Sequence, residues 1–541
     1  MKKIIQRSFV LIMSIAVTLT SSSGFMKTAE ASTGSTTIIN PRKAISVDGG
    51  RITGSLSADK SVAIYKGIPF AAPPVGDLRW KAPQPVVAWD GVKKCTEFSS
   101  SAIQAKQGPF MFWSTEFIID TTKGYSEDCL YLNVWTKKES QVKNCPVIVY
   151  IHGGANTSGG ASCDVYDGEA IAKKDVVYVS INYRVGIFGF LAHPALSGEA
   201  SDKVSGNYAI LDQIAALTWV KNNIAKFGGD PTNVTIAGQS AGSSNVHSLV
   251  SSPMAKGLFK NAVAMSFNTL TSNPSTLKQK EEEGAKLFEG KSLTQMRAMS
   301  ADEVQALSGF TAATCIDGKV ITGSTLSTYE NGTANQVNMI TGMVDGDSLL
   351  FPVISSGAGF FSSTKAISKE KYVAVIKEKF GDLATECLAA YPAASEDALN
   401  VFNQVNRDGS MALQYYLAKA RALKSGKKTY IYNFSHYMPG PQAAEMGAFH
   451  TADVPYWLNH FSVLRDDYWA KIDYKLGDQM SSYLVNFAKT GNPNGTGLTK
   501  WNAYDGFSVA YLDLGDQISL KTLTDAQASF WKKYYGNLLG I

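Results

Sequence analysis

Apolar runs with strand character recur along the chain, at Val147-Ile148-Val149-Tyr150-Ile151 and at residues 176–181, 234–237, 337–340 and 429–434. Between the second and third lies a stretch, 213–227, in which Ile214, Leu217, Val220, Ile224 and Phe227 recur every three or four residues and predict one helical face. Strands separated by helical stretches imply βαβ units and a largely parallel sheet. Residues 277–308 are helical in pattern and mixed in charge, with Ser300-Ala301-Asp302-Glu303 resembling a helix start, and they predict a helical excursion beside the sheet. No internal repeat and no linker divides the rest.

The third apolar run ends abruptly in Gly238-Gln239-Ser240-Ala241-Gly242. A sharp turn from strand to helix would hold Ser240 at positive φ, with neighbouring backbone passing too close for Cβ atoms at 238 and 242. Such a turn lifts a hydroxyl above the sheet edge and aims the first free N–H groups of the helix at the same spot. Directly after the first run comes His152-Gly153-Gly154-Ala155, a small-residue loop able to offer backbone N–H groups to a developing oxyanion. A serine nucleophile also needs a base. In the chain order serine, acid, histidine, three of the six histidines remain: His436, His450 and His460. His450 stands out because Gly447-Ala448-Phe449-His450 reads as a loop entering the apolar Val454-Pro455-Tyr456-Trp457.

Composition adds context. An apolar content of 45% and a charged content of 18% describe an ordinary globular chain. The N-terminus joins Lys2, Lys3 and Arg7 to an apolar stretch 9–19 and then Ala29-Glu30-Ala31, the layout of a secretory signal peptide over residues 1–31, with a mature start near Ser32 and one domain over 32–541. The apolar stretch is too short to span a bilayer, so a stable membrane insertion is not expected. Removing residues 1–31 takes away four cations and one anion, and the formal charge falls from +5 to +2. Such a chain offers no electrostatic reason to expect nucleic acid as partner. Six cysteines in a secreted chain permit disulfides, but their spacing selects no pairing and forms no metal-ligand cluster.

Several long motifs then carry a resemblance: Lys66-Gly67-Ile68-Pro69-Phe70-Ala71 with PPVGDLRW, SEDCLYLNVW at 126–135, NYRVGIFGF at 182–190, GNYAILDQIAALTWVKNNIAKFGGDP at 206–231 and FAKTGNPN at 487–494. In these the chain resembles the type-B carboxylesterases of the α/β-hydrolase superfamily, the group of bacterial p-nitrobenzyl esterases, animal carboxylesterases and cholinesterases, from about residue 40 to about 535. The resemblance implies an α/β-hydrolase fold, a large, mostly parallel central sheet flanked by helices, with helical insertions around an active-site gorge. It makes Ser240 the nucleophile, His450 the general base and Asp347 the acid, five residues after Gly342, with Asp345 and Asp453 as rival carboxylates. The oxyanion donors fall on the N–H groups of Gly154, Ala155 and Ala241. Gln239 stands where the family usually has glutamate and Asn156 where it usually has an aromatic, which argues against choline esters. The resemblance also pairs Cys95 with Cys129 around a loop whose Phe112 and Trp113 would line the substrate pocket, and it makes Arg79–Glu127 and Arg184–Asp212 structural ion pairs. The implied activity is hydrolysis of small, uncharged or aromatic esters through an acyl-serine, with no cofactor or metal. A catalytically silent binding protein, or a narrower phenolic-ester esterase or amidase, are the alternatives.

Overall fold

A computed structural model describes residues 37–106, 115–140, 144–266, 274–347, 367–441, 443–462, 467–506 and 509–539. The run Val147 to Ile151 lies in the middle of the central sheet, in strand β4 (Cys145–Ile151), and every residue of that strand is buried. It follows β1 (Ser55–Leu56), β2 (Val62–Pro69) and β3 (Tyr131–Lys137). After it come β5 (Val177–Ile181), β6 (Gly229–Gln239), β7 (Asn261–Met265), β8 (Asn338–Val344), β9 (Thr429–Phe434), β10 (Ala510–Leu514) and β11 (Ser519–Thr522). The spatial order is β11-β10-β9-β8-β7-β6-β4-β5-β3-β2-β1. The seven strands from β10 to β5 pair in parallel, which buries both faces and explains their continuous apolar runs. The edges are antiparallel, at β5–β3, β3–β2, β2–β1 and β10–β11. This is the α/β-hydrolase architecture, with a large mixed sheet flanked by helices.

The chain passes from β4 to β5 on one side and then returns to β6 on the other. At such a reversal the connections leave the carboxyl ends of the strands in opposite directions and open a crevice between them. In register, Ile151 of β4 faces Gly238 of β6, Gln239 faces Met265 of β7, and Met265 faces Gly342 of β8. The carboxyl ends of four strands therefore meet at one edge.

The predicted helical face is helix α1 (Tyr208–Asn223), continued by a tight turn over Ile224–Phe227 that closes on Gly228 in the left-handed region. Leu217, Val220, Ile224 and Phe227 are buried against the sheet. Helix α2 (Ala241–Ser251) follows β6. The excursion over 277–308 is three short helices, α3 (Leu277–Leu287), α4 (Leu293–Ala298) and α5 (Ala301–Gln305), each opened by a capping box. The start at Ser300 is one of these boxes, with Glu303 bonding back to the Ser300 N–H. Among the described residues no helix is long and apolar enough to cross a membrane.

Both expected ion pairs are formed. Arg79 Nε donates to Glu127 at 2.7 Å, and Arg184 grips Asp212 of α1 through Nε at 2.8 Å and Nη2 at 2.6 Å. The predicted Cys95–Cys129 bridge is not: all six cysteines are buried free thiols. Cys95 Sγ turns to the Gly67 carbonyl, whereas Cys129 sits in the field of the Arg184–Asp212 pair, so the two side chains serve different surroundings. Phe112 and Trp113 lie outside the described residues.

Arg184 and Asp212 are almost fully buried, so removing one partner strands the other charge in low dielectric. Asp212→Ala is expected to lower the unfolding free energy by about 3–5 kcal/mol in urea denaturation. A loss below about 1 kcal/mol would show that the guanidinium is solvated instead.

Candidate active site

The turn after β6 is as tight as its glycines suggest. Ser240 has φ 59° and ψ −124°, a conformation that a non-glycine residue holds only when its surroundings enforce it, at a cost of about 1–3 kcal/mol. The enforcement is backbone pairing on both sides: the Ser240 N–H donates to Met265 O at 3.0 Å, and the Ser244 N–H donates to Ser240 O at 3.0 Å. A Cβ at 242 would lie 2.1 Å from the Ile151 carbonyl oxygen, and one at 238 would lie 2.5 Å from that of Gly242. Glycine is the residue that fits at either position.

The loop after β4 is held beside this turn. His152 is buried, and burial lowers its pKa to about 4, so the ring is neutral. Its Nδ1 donates to the Gly153 carbonyl at 2.8 Å, and the ring stacks on Tyr183 at 4.3 Å, whose hydroxyl donates to His152 O. Gly154 has φ +109°, and its carbonyl accepts from the N–H groups of Thr157 and Ser158. Ala155 and Asn156 also have positive φ. Among the described residues no group accepts from the N–H of Gly154, Ala155 or Ala241. Asn156 does not simply line a pocket wall: its Oδ1 accepts from Asn245 of α2 at 3.1 Å, and its carbonyl accepts from the Gly186 N–H at 2.6 Å. The loop is thus tied to the helix behind Ser240 and to the segment that Arg184 anchors.

On the far side of β7, the chain leaving β8 carries two carboxylates. The Asp345 N–H extends the ladder to Phe434 O, and the Gly346 N–H donates to Ala448 O, so this segment pairs with the one preceding His450. The turn at Gly346 sends the carboxylates apart. Asp345 accepts from Asn433 at 3.0 Å and lies 3.6 Å from Arg407, while buried Asp347 accepts the hydrogen bond of His450 Nδ1. Asp453, at the start of helix α6 (Val454–Leu458), accepts from the Tyr432 hydroxyl at 2.7 Å and from Trp457 Nε1 at 3.2 Å. Burial raises its pKa to about 6 despite these donors, with the Asp347 charge adding to the rise. Burial also works against a charged His450, but the charge and hydrogen bond of Asp347, with the charge of Asp453, outweigh it and hold the His450 pKa above the usual imidazole value.

The other two histidines that chain order allows have different partners. His436 sits between Asp516 at 2.6 Å and Asp473 at 2.9 Å, and His460 faces Asp164 at 3.4 Å. Among the described residues, His450 is the one of the three that reaches the strand end leading into Ser240, its Nε2 lying 3.3 Å from Gln239 Nε2. Two participants carried no sequence signal: Asn245, and Gln104, which bonds Gly159 in both directions across 55 residues.

The carboxylesterase family matches residues 41–531. The chain belongs to that family. Fumonisin B1 esterase from Sphingopyxis macrogoltabida is 33% identical over 468 residues, covering 82% of each chain. Cocaine esterase from Homo sapiens is 31% identical over 522 residues, covering 90% of each. The solved structure of PNB esterase superposes with a TM-score of 0.71 at 27% identity, covering 91% of this chain and 99% of the other. This carboxylesterase is a carboxylic ester hydrolase.

Adding a methyl at 242 forces the turn away from β4. Gly242→Ala is expected to destabilise the esterase by about 3 kcal/mol or to prevent soluble expression. Gly198→Ala, at an exposed position of the short helix Pro194–Glu199 with open space around the new Cβ, is expected to leave thermal melting unchanged or slightly higher. Equal tolerance of both would refute the crowding at 242.

Proposed function

We propose that this enzyme hydrolyses small, uncharged or aromatic carboxylic esters through an acyl-Ser240 intermediate. The observation that supports it most directly is the hydrogen bond from His450 Nδ1 to Asp347, with the other ring nitrogen facing the strand end that bears Ser240. His450 Nε2 takes the Ser240 proton as Oγ attacks the ester carbonyl carbon, and the oxyanion is met by the N–H groups of Gly154, Ala155 and Ala241. The imidazolium returns the proton to the departing alcohol, and Asp347 keeps Nδ1 protonated throughout. Water then attacks the acyl carbon with the same base, releasing the acid and restoring Ser240.

Neutral Gln239 in place of the family's usual carboxylate removes an attraction for a cationic alcohol group, which favours uncharged esters over choline esters. Secretion after removal of residues 1–31 is the accompanying proposal, supported by the order of basic, apolar and small residues at the N-terminus.

Ser240→Ala is expected to abolish p-nitrophenyl ester hydrolysis with the fold retained. Asp347→Asn should lower kcat by a factor on the order of 10⁴ through the wrong imidazole tautomer, and Asp345→Asn by less than about tenfold. The reverse ranking would transfer the role to Asp345, and retained activity in Ser240→Ala would mean a different nucleophile. Mass spectrometry of protein from culture medium should find an N-terminus within a few residues of Ser32; intact Met1 on cell-retained protein would refute export.

A further inference from the structure

Gln239 is buried, and its carboxamide is held between two parts of the site. Its Nε2 lies 3.3 Å from His450 Nε2, while its Oε1 faces Gly153, 3.4 Å from where a Cβ on that glycine would begin. The Gln239 carbonyl is nearer still to that point, at 2.8 Å, so a side chain at 153 would displace the amide.

The protonation pattern follows from the partners. A carboxylate can only accept, so the bond to Asp347 places a proton on His450 Nδ1 and leaves the lone pair of the neutral ring on Nε2. An amide NH₂ complements that lone pair. The same NH₂ facing an imidazolium Nε2–H would set donor against donor. Among the described residues, the titratable groups facing the ring are Asp347 from the loop after β8 and Asp453 from the start of α6, with the Tyr432 hydroxyl of β9 on Asp453. Both carboxylates favour the charged ring. Gln239 stands at the opposite nitrogen and favours the neutral one.

We propose that Gln239 is a positioning residue that holds His450 as a neutral base, with the proton on Nδ1 and the Nε2 lone pair unprotonated, and so sets the pH below which hydrolysis is lost. During catalysis Nε2 acquires the Ser240 proton. A glutamate at 239 has no N–H to offer that lone pair. It would favour only the imidazolium and add a third negative charge around the ring.

This inference rests on His450 being the base, and its test separates the two. The pH dependence of kcat/KM on a p-nitrophenyl ester is measured for the wild type, Gln239→Met and Gln239→Glu. In parallel, the His450 imidazole is titrated by ¹⁵N NMR in histidine-labelled protein and assigned by the signal missing in His450→Ala. Losing one hydrogen bond to the neutral ring should move both the acid limb and the imidazole titration up by about 0.5–1 pH unit in Gln239→Met. Gln239→Glu should move them by more than about one unit. Gln239→Met keeps the volume of the site, and it decides the question alone if Gln239→Glu does not fold. An acid limb or an imidazole titration that stays where the wild type has it in Gln239→Met overturns the proposal. Retained hydrolysis in His450→Ala would overturn the base assignment instead, and the NMR titration would still report the contact.

Discussion

The carbonyl oxygens of Ile151 and His152 lie where a side chain on residue 242 would begin, and that close passage of backbone against backbone organises the site. It requires glycine at 242, and it leaves the chain between β6 and α2 only a left-handed turn, which places Ser240 at φ 59°. It also brings the loop after β4 against the same turn, so that donor loop and serine are positioned by one contact. The sheet supplies the context: β4 and β6 are neighbours at the point where the strand order reverses, and their carboxyl ends border the crevice that any doubly wound sheet opens there. The strain at Ser240 is sustained because Met265 and Ser244 bond its backbone on either side.

Electrostatics then distinguishes histidines that are chemically identical. Burial lowers the pKa of His152 to about 4 and that of His247 to about 3, which makes them neutral packing groups. His436, His450 and His460 each face a carboxylate and are held above the usual imidazole value even though burial opposes it. Among these, His436 is engaged by acids at both nitrogens. His450 presents one nitrogen to Asp347 and the other to the strand that ends in Ser240. Asp453 sits behind this pair, retained as a hydrogen-bond acceptor for Tyr432 and Trp457.

Supporting interactions reach the site through the Arg184 segment. The Arg184–Asp212 pair joins the chain after β5 to α1, and two residues on, the Gly186 N–H donates to Asn156 O in the donor loop. The segment that carries this buried pair thereby also holds the donor loop. This gives a physical reason for a buried ion pair where packing alone would be served by apolar side chains.

What the sequence by itself determined is what neighbouring residues decide among themselves. The central strands follow from continuous apolar runs, α1 from the spacing of Leu217, Val220, Ile224 and Phe227, the α5 start from Ser300 and Glu303, and the turn at Ser240 from glycines two residues either side. Strand β7, Asn-Ala-Val-Ala-Met, had no such signal, because its alanines and methionine suit a helix as well and only pairing between β6 and β8 makes it extended. Asp345 and Asp347 lie two residues apart, and the turn at Gly346, held by Ala448 about a hundred residues away, sends one to Arg407 and the other to His450. The resemblance paired Cys95 with Cys129, whereas in the fold both are free thiols whose side chains meet different neighbours. Gln239 and His450 are 211 positions apart, and their contact exists only once β6 and the loop after β9 share an edge. Local periodicity and turn chemistry act over a few residues, whereas these choices depend on which distant segments the sheet order brings together, and tertiary structure alone decided them.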